Sequence, residues 1–249
     1  WVWFLGWAVG GGCGLCCGVF WVLGDWTAEQ NRTMFMSVVG VSIGLSFTVA
    51  LSLGPKLAAV GGLEAIFWLS SALAVVGLFV LFFLVPTPPH GLNHGREGIT
   101  VPTLLKSTLR NGELLRFDFG IFCLHFMLTA TFVTVPLLLE EAGLAAGEHS
   151  QYYWRVMLLA FVGMVPFMYY AERKRKVKGV MLGAILLLIG TEFLLAFLSE
   201  SSWKVVFLAI WIFFVAFNIM EATLPSLLSK MAPAGSKGTA MGVYSTCHF

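Results

Sequence analysis

Seven stretches of this 249-residue chain run for 20 or more residues with few charges inside them: 3–24, 34–55, 63–86, 115–139, 151–171, 179–199 and 203–229. An eighth opens near Lys237. A helix rises about 1.5 Å per residue, so about 20 apolar residues match the roughly 30 Å of hydrocarbon in a bilayer. A spanning strand needs about half that length and alternates polar with apolar side chains; these runs do not alternate. The sequence therefore predicts an all-α fold, a polytopic transmembrane helical bundle whose partner is the lipid bilayer. Composition agrees, because 58% of the residues are hydrophobic and 11% are charged, about half the charge of an ordinary soluble domain. A net charge of +2, with Lys and Arg scattered through short loops, argues against a nucleic-acid partner. The five cysteines show neither a paired framework nor zinc-site spacing, and no metal or cofactor is expected.

The basic residues orient the helices, since cytoplasmic loops are enriched in Lys and Arg. Arg32 lies in the first loop, and Arg96, Lys106, Arg110 and Arg116 lie in or beside the third. Arg173, Lys174, Arg175, Lys176 and Lys178 mark the fifth, and Lys230 and Lys237 the seventh. These four loops are expected on the cytoplasmic face. The alternate loops hold Lys56, Lys204 and, at a helix mouth, Arg155, and are expected outside. The third loop is the longest polar segment and is rich in Pro, Gly and His. It reads as a cytoplasmic linker, 87–112, between a first unit of three helices, 1–86, and a second, 113–249, of four helices and the start of a fifth. The units repeat: at an offset of 205 residues Arg32 meets Lys237 and Met36 meets Met241, each in a cytoplasmic loop that leads into a new span. Six spans separate the copies, as duplication of a six-helix half requires. Trp1 stands directly in an apolar run and the last residues enter another helix, so the chain is expected to be a fragment truncated at both ends.

Four stretches carry a resemblance: Phe213–Lys230 (F-F-V-A-F-N-I-M-E-A-T-L-P-S-L-L-S-K), Lys237–Ser245 (K-G-T-A-M-G-V-Y-S), Phe119–His125 (F-G-I-F-C-L-H) and Glu29–Arg32. In these the chain resembles the drug-efflux branch of the major facilitator superfamily, and within it the YajR-type bacterial inner-membrane transporters. The resemblance implies a partial major-facilitator fold, two pseudo-repeated six-helix halves represented by about helices 4 to 11 of 12. It implies that Asp25 pairs with a glycine-and-basic loop between helices two and three; alternatively Asp25 is a solvated acid at a helix end. The antiporter pattern of helix five is partly kept, in Gly40, Gly44, Gly54 and Pro55, while Gly61 and Gly62 stand too far along. Without the resemblance these residues read as close-packing and kink positions, as does the stripe Gly6, Gly10, Gly14 and Gly18.

An ionisable residue inside a bilayer costs several kcal/mol, which makes each one a functional candidate. Asp118, His125, Glu192 and Glu221 qualify. His125 lies nine residues beyond Arg116, and Glu221 nine before Lys230, so on antiparallel helices both sit about 13 Å deep. Glu221 is the candidate for taking and releasing a transported proton, with His125 relaying or tuning it; both alternatively bond a neighbouring helix. Asn218, Asp118 and Thr129 supply a polar lining by helical spacing, although Asp118, two residues from Arg116, also reads as a hydrated interfacial acid. Glu192 is expected to be structural. Phe122, Phe126, Phe132, Trp211, Phe214 and Phe217 are aromatic candidates for a substrate pathway, in competition with core and lipid-facing roles. Pro136, Pro166 and Pro225 interrupt their spans. Arg173 and Arg175, with Arg32, are candidates for a cytoplasmic ion-pair lock, or for plain orientation signals and lipid-headgroup contacts.

No span carries a His-Glu-x-x-His or Gly-x-Ser-x-Gly arrangement, so no enzyme is expected, and no filter or charged ring marks a channel. The resemblance and the buried titratable groups together imply a proton-coupled efflux transporter of the bacterial inner membrane. It is expected to carry small amphipathic compounds by alternating access and to be monomeric when complete. A symporter or uniporter for a small metabolite is the alternative, followed by a non-transport membrane scaffold.

Overall fold

The structure, a computed structural model, describes residues 32–83, 102–197, 202–233 and 236–248. The span at 3–24, Asp25 and the linker up to residue 101 lie outside the described residues. Every described element is helical: α1 (Arg32–Phe83), α2 (Pro102–Leu109), α3 (Gly112–Glu141), a 3₁₀ turn (Ala146–Glu148), α4 (His149–Arg173), α5 (Val177–Ala196), α6 (Trp203–Met231) and α7 (Lys237–Thr246). Five runs among them are long and apolar enough to cross a membrane: Gly44–Val80 within α1, and the whole of α3, α4, α5 and α6.

The spans expected at 34–55 and 63–86 are two helices that meet within α1 at a kink, and the segment expected to be a loop carrying Lys56 is helical instead. The helix continues through Gly54, Pro55 and Lys56, and its backbone leaves helical geometry at Gly62 (φ 65, ψ -172), a conformation essentially open to glycine alone. Pro55 removes one backbone donor without stopping the helix, whereas a residue lacking Cβ lets the chain break at 62. As one straight helix Gly44–Val80 would be about 56 Å long, nearly twice the hydrocarbon thickness. The break divides it into Gly44–Gly61 and Leu63–Val80, each about 27 Å long and sufficient for one crossing.

Two of the other helix ends are closed by the same device. After α3, Gly143 (φ 85) lets its N–H reach the Glu140 carbonyl at 3.0 Å and the Leu144 N–H reach Leu139 at 2.9 Å. After α4, Arg175 (φ 53) does likewise, with Arg175 N–H to Glu172 at 3.2 Å and Lys176 N–H to Ala171 at 3.0 Å. These paired bonds satisfy carbonyls that the end of each helix leaves without an intrahelical partner. Only the first uses the residue best suited to a left-handed conformation. At the start of α3 the Asn111 side chain accepts from the Glu113 N–H at 3.1 Å.

Helix α6 is the centre of the bundle and touches α1, α3, α4, α5 and α7. Val206, Ala209, Ile210, Phe213, Ala216 and Leu228 along it are fully buried. Glycine permits the tightest approaches. A Cβ on Gly163 of α4 would stand 2.7 Å from Cγ2 of Val215 and 3.3 Å from Cζ2 of Trp211, and one on Gly44 of α1 would collide with the Phe161 ring. Among the described residues nothing lies within 4 Å of a Cβ built on Gly54. The outward flank of α5 shows Leu182, Leu186, Ile189 and Phe193 to the surroundings, which would promote aggregation in water and is the ordinary face of a helix in lipid. Ser46, Thr48, Ser52, Thr134, Thr191 and Thr223 each donate to the carbonyl four residues back, so their hydroxyls need no water. The end of the linker is also part of the fold. Pro102 opens α2, as proline favours a first helical turn, and α2 packs on α3 and α7 with Thr108 buried.

Gly163→Ala is expected to cost about 1–3 kcal/mol by overpacking against Val215, and Gly143→Ala about 1 kcal/mol by strain. Arg175→Gly is expected to raise stability by about 1 kcal/mol. Thermal unfolding in detergent micelles checks all three.

Candidate functional site

His125 and Glu221, the two residues that sequence reasoning placed at mid-depth, meet on the face that α3 and α6 share with α7. Asp118 and His125 come from α3, Asn218 and Glu221 from α6, and Tyr244 from α7, with Cys247 and His248 in the turn after it. One donor atom from each of His125, Glu221 and His248 lies within 4.8 Å of the other two. The His125 and His248 rings are 4.4 Å apart between centroids, and His248 meets the Tyr244 ring at 5.1 Å. Nδ1 of His125 lies 3.2 Å from the Ile121 carbonyl. A carbonyl only accepts, so Nδ1 carries the hydrogen of that bond and Nε2 is left to hold a proton or a ligand.

The acids here lack the partners that burial normally demands. Among the described residues, neither carboxylate oxygen of Asp118 has a hydrogen bond, and Oε2 of Glu221, Nδ2 of Asn218 and Oη of Tyr244 are buried without one. Asp118 is 3% exposed, which corrects its reading as a hydrated acid at the helix mouth. Positions two apart on a helix do not face each other, and Arg116 turns instead to Glu113, at 2.7 Å. Such a set calls for a positive partner: a proton, an imidazolium or a bound cation.

An aromatic cluster adjoins it. Phe217 lies 5.8 Å from the His125 ring and 6.3 Å from Phe214, and Phe132 lies 5.8 Å from Phe214 and 5.7 Å from Tyr153. The hydroxyls of Tyr152 and Tyr153 and the indole N–H of Trp211 are buried there without hydrogen-bond partners among the described residues. Phe132 and Phe214 thus meet, whereas Phe122 is half-exposed and pairs with Phe126. Thr129 donates to the His125 carbonyl at 2.9 Å and is exposed.

The family model described as Major Facilitator Superfamily matches residues 1–249. The chain belongs to that superfamily. It is 44% identical over 250 residues to the inner membrane transport protein YajR of Escherichia coli (strain K12), covering all of this chain and 54% of that protein. An uncharacterized transporter of Buchnera aphidicola subsp. Acyrthosiphon pisum is 29% identical over 228 residues, with 91% of this chain and 58% of the relative covered. Another, from Buchnera aphidicola subsp. Baizongia pistaciae, is 25% identical over 233 residues, or 92% and 58%. The chain spans little more than half the length of these relatives. All three are named as transport proteins and none as an enzyme, and the chain is a multi-pass membrane protein.

Within this facilitator bundle the remaining candidates separate. Glu192 on α5 accepts from Thr131 of α3 at 3.1 Å, an interhelical bond away from the cluster. Lys56 and Arg155, both assigned outward by loop charge, line one cleft of about 510 Å³ between α1 and α4, bridged by Ser150 donating to the Ser52 carbonyl at 3.0 Å. Arg32 opens α1. Arg173 donates to the Tyr169 hydroxyl and lies over its ring, while Arg175 occupies the turn before α5. Neither forms an ion pair among the described residues, where the one such pair is Arg116–Glu113. Sequence reasoning missed Tyr244 and His248. The available signal was a tyrosine and a histidine one helical turn apart at the entry to the eighth apolar run. Glu192→Gln keeps an acceptor for Thr131 and is expected to change stability by less than about 0.5 kcal/mol, whereas Thr131→Val costs about 1 kcal/mol. Unfolding in detergent measures both.

Proposed function

We propose that the protein is a proton-coupled secondary transporter of the bacterial inner membrane, an antiporter that exports small amphipathic compounds by alternating access and acts as a monomer. The observation that carries this reading is the meeting of Glu221, from α6, with His125, from α3, beside a buried carboxylate oxygen that has no partner among the described residues. The superfamily membership and a relative named for the inner membrane support it. In the drug-efflux branch α1 corresponds to helices five and six, α3 to helix seven, α6 to helix ten and α7 to the start of helix eleven. Residues 113–249 then form most of the second half, joined through the 87–112 linker to the first.

The chemistry follows from the charge. An ionised Glu221 resists closure of the bundle around it, because burying the carboxylate removes its water. Proton uptake neutralises it and permits closure; reopening on the other side releases the proton. His125, its ring fixed through Nδ1 by the Ile121 carbonyl, offers Nε2 as the relay. Asp118 adds a second negative charge that favours positive occupants. Phe132 and Phe214, together with Asn218 and Thr129, suit an aromatic, weakly polar substrate path, with Phe122 at its rim. By the loop-charge rule we assign Asp25, Arg32, Arg173 and Arg175 to the cytoplasmic side, as residues of the gate. Gly54 and Pro55 allow α1 to slide and bend, because no described neighbour meets a Cβ at 54.

Flux driven by an imposed pH gradient, measured with the full-length protein in liposomes, tests the role of Glu221. Glu221→Gln is expected to bring it to the level of protein-free vesicles, with folding and substrate binding kept. Unchanged gradient-driven flux would remove Glu221 from the mechanism.

A further inference from the structure

His125, Glu221 and His248 stand far apart in sequence and arrive from three elements: α3, α6 and the turn after α7. Each is partly buried, each offers one donor atom, and the three atoms lie within 4.8 Å of one another. We propose that these three side chains bind a divalent cation of the zinc, cobalt or nickel type inside the bundle. Two imidazoles and one carboxylate form a donor set for such borderline ions, and a poor one for Mg2+ or Ca2+, which take oxygen donors almost throughout. An ion about 2.1 Å from three tetrahedrally arranged donors holds them about 3.4 Å apart. Closing onto it therefore takes movements of little more than an ångström, within reach of side-chain rotation.

Two features outside the triad fit the same occupant. The His125 Nδ1–H is engaged by the Ile121 carbonyl at 3.2 Å, the outer contact that commonly fixes a metal-binding histidine and presents its other nitrogen. Charge also balances. A divalent ion on Glu221 leaves one positive charge, and Asp118, buried with both oxygens lacking partners among the described residues, supplies a negative charge to offset it. With three protein donors a fourth position stays open to water or to an ion in transit. The inference shares residues with the coupling reading but does not rest on it, since the proton and the metal ion are alternative occupants of the same lone pairs.

Purified full-length protein, with any affinity tag removed, is titrated in detergent micelles with Co2+ alone and then with Zn2+, without a gradient. The expected result is one ion per chain, with visible d–d absorption from low-symmetry cobalt that Zn2+ abolishes. His125→Ala, His248→Ala and Glu221→Gln are each expected to weaken binding at least about tenfold, whereas Glu192→Gln, at the Thr131 bond, binds as the parent does. Should a variant fail to fold, the parent's cobalt spectrum and its displacement by zinc decide. No stoichiometric binding by the parent, or binding undiminished in the folded variants (an adventitious ion only), overturns the inference. Binding without gradient-driven flux, or flux without binding, separates the failure of one reading from that of the other.

Discussion

The scarcity of water in the hydrocarbon layer governs this molecule. Backbone groups there must bond within their own helix, hydroxyls must turn back to carbonyls, and a charged group must find a partner or a cavity. The chain meets the first demand through long helices and glycine-permitted turns, and the second for most serines and threonines through bonds to the preceding turn, while the Tyr152, Tyr153 and Tyr244 hydroxyls stay without partners among the described residues. It meets the third selectively. Thr131 serves Glu192, whereas Asp118 and Glu221 keep oxygens that no described residue satisfies.

That contrast distinguishes two kinds of buried acid within one bundle. Helix α6 is buried along one side by α3, α4 and α5, and small residues at the crossings, Gly163 above all, bring those helices close. A tightly packed helix holds its side chains in register, so Asn218 and Glu221 present a fixed polar edge toward His125, Tyr244 and His248. The aromatic rings between Phe132 and Phe217 continue this edge as an apolar wall with occasional donors. A titratable end and an aromatic flank share one helix face, which is the arrangement expected where binding a charge and accommodating an apolar molecule are coupled.

Much of the architecture was legible in the sequence because length and hydropathy leave few alternatives in lipid. Helices α3 to α6 fall within a few residues of the apolar runs that announce them, and counting residues inward from Arg116 and Lys230 set His125 and Glu221 level. What escaped was decided by local geometry or by contacts between distant residues. The junction near Gly62 reads as a loop because glycine, proline and lysine cluster there, yet a single positive-φ residue sufficed. Helix α2 was hidden in a segment whose proline and glycine content suggests a free tether, although packing on α3 and α7 orders it. Asp118 reads as hydrated because Arg116 is near in sequence, but helical geometry points the two side chains apart. His248 joins His125 and Glu221 only through the meeting of α3, α6 and α7, which no local pattern encodes.

Water access at position 221 in a membrane is the decisive measurement. A single cysteine placed there, on a background with all native cysteines replaced, is expected to react with a small membrane-impermeant thiol reagent far faster than one at Phe193, on the exposed flank of α5. Reaction rates equally negligible at both positions would place Glu221 against acyl chains and contradict a shared, hydrated interior.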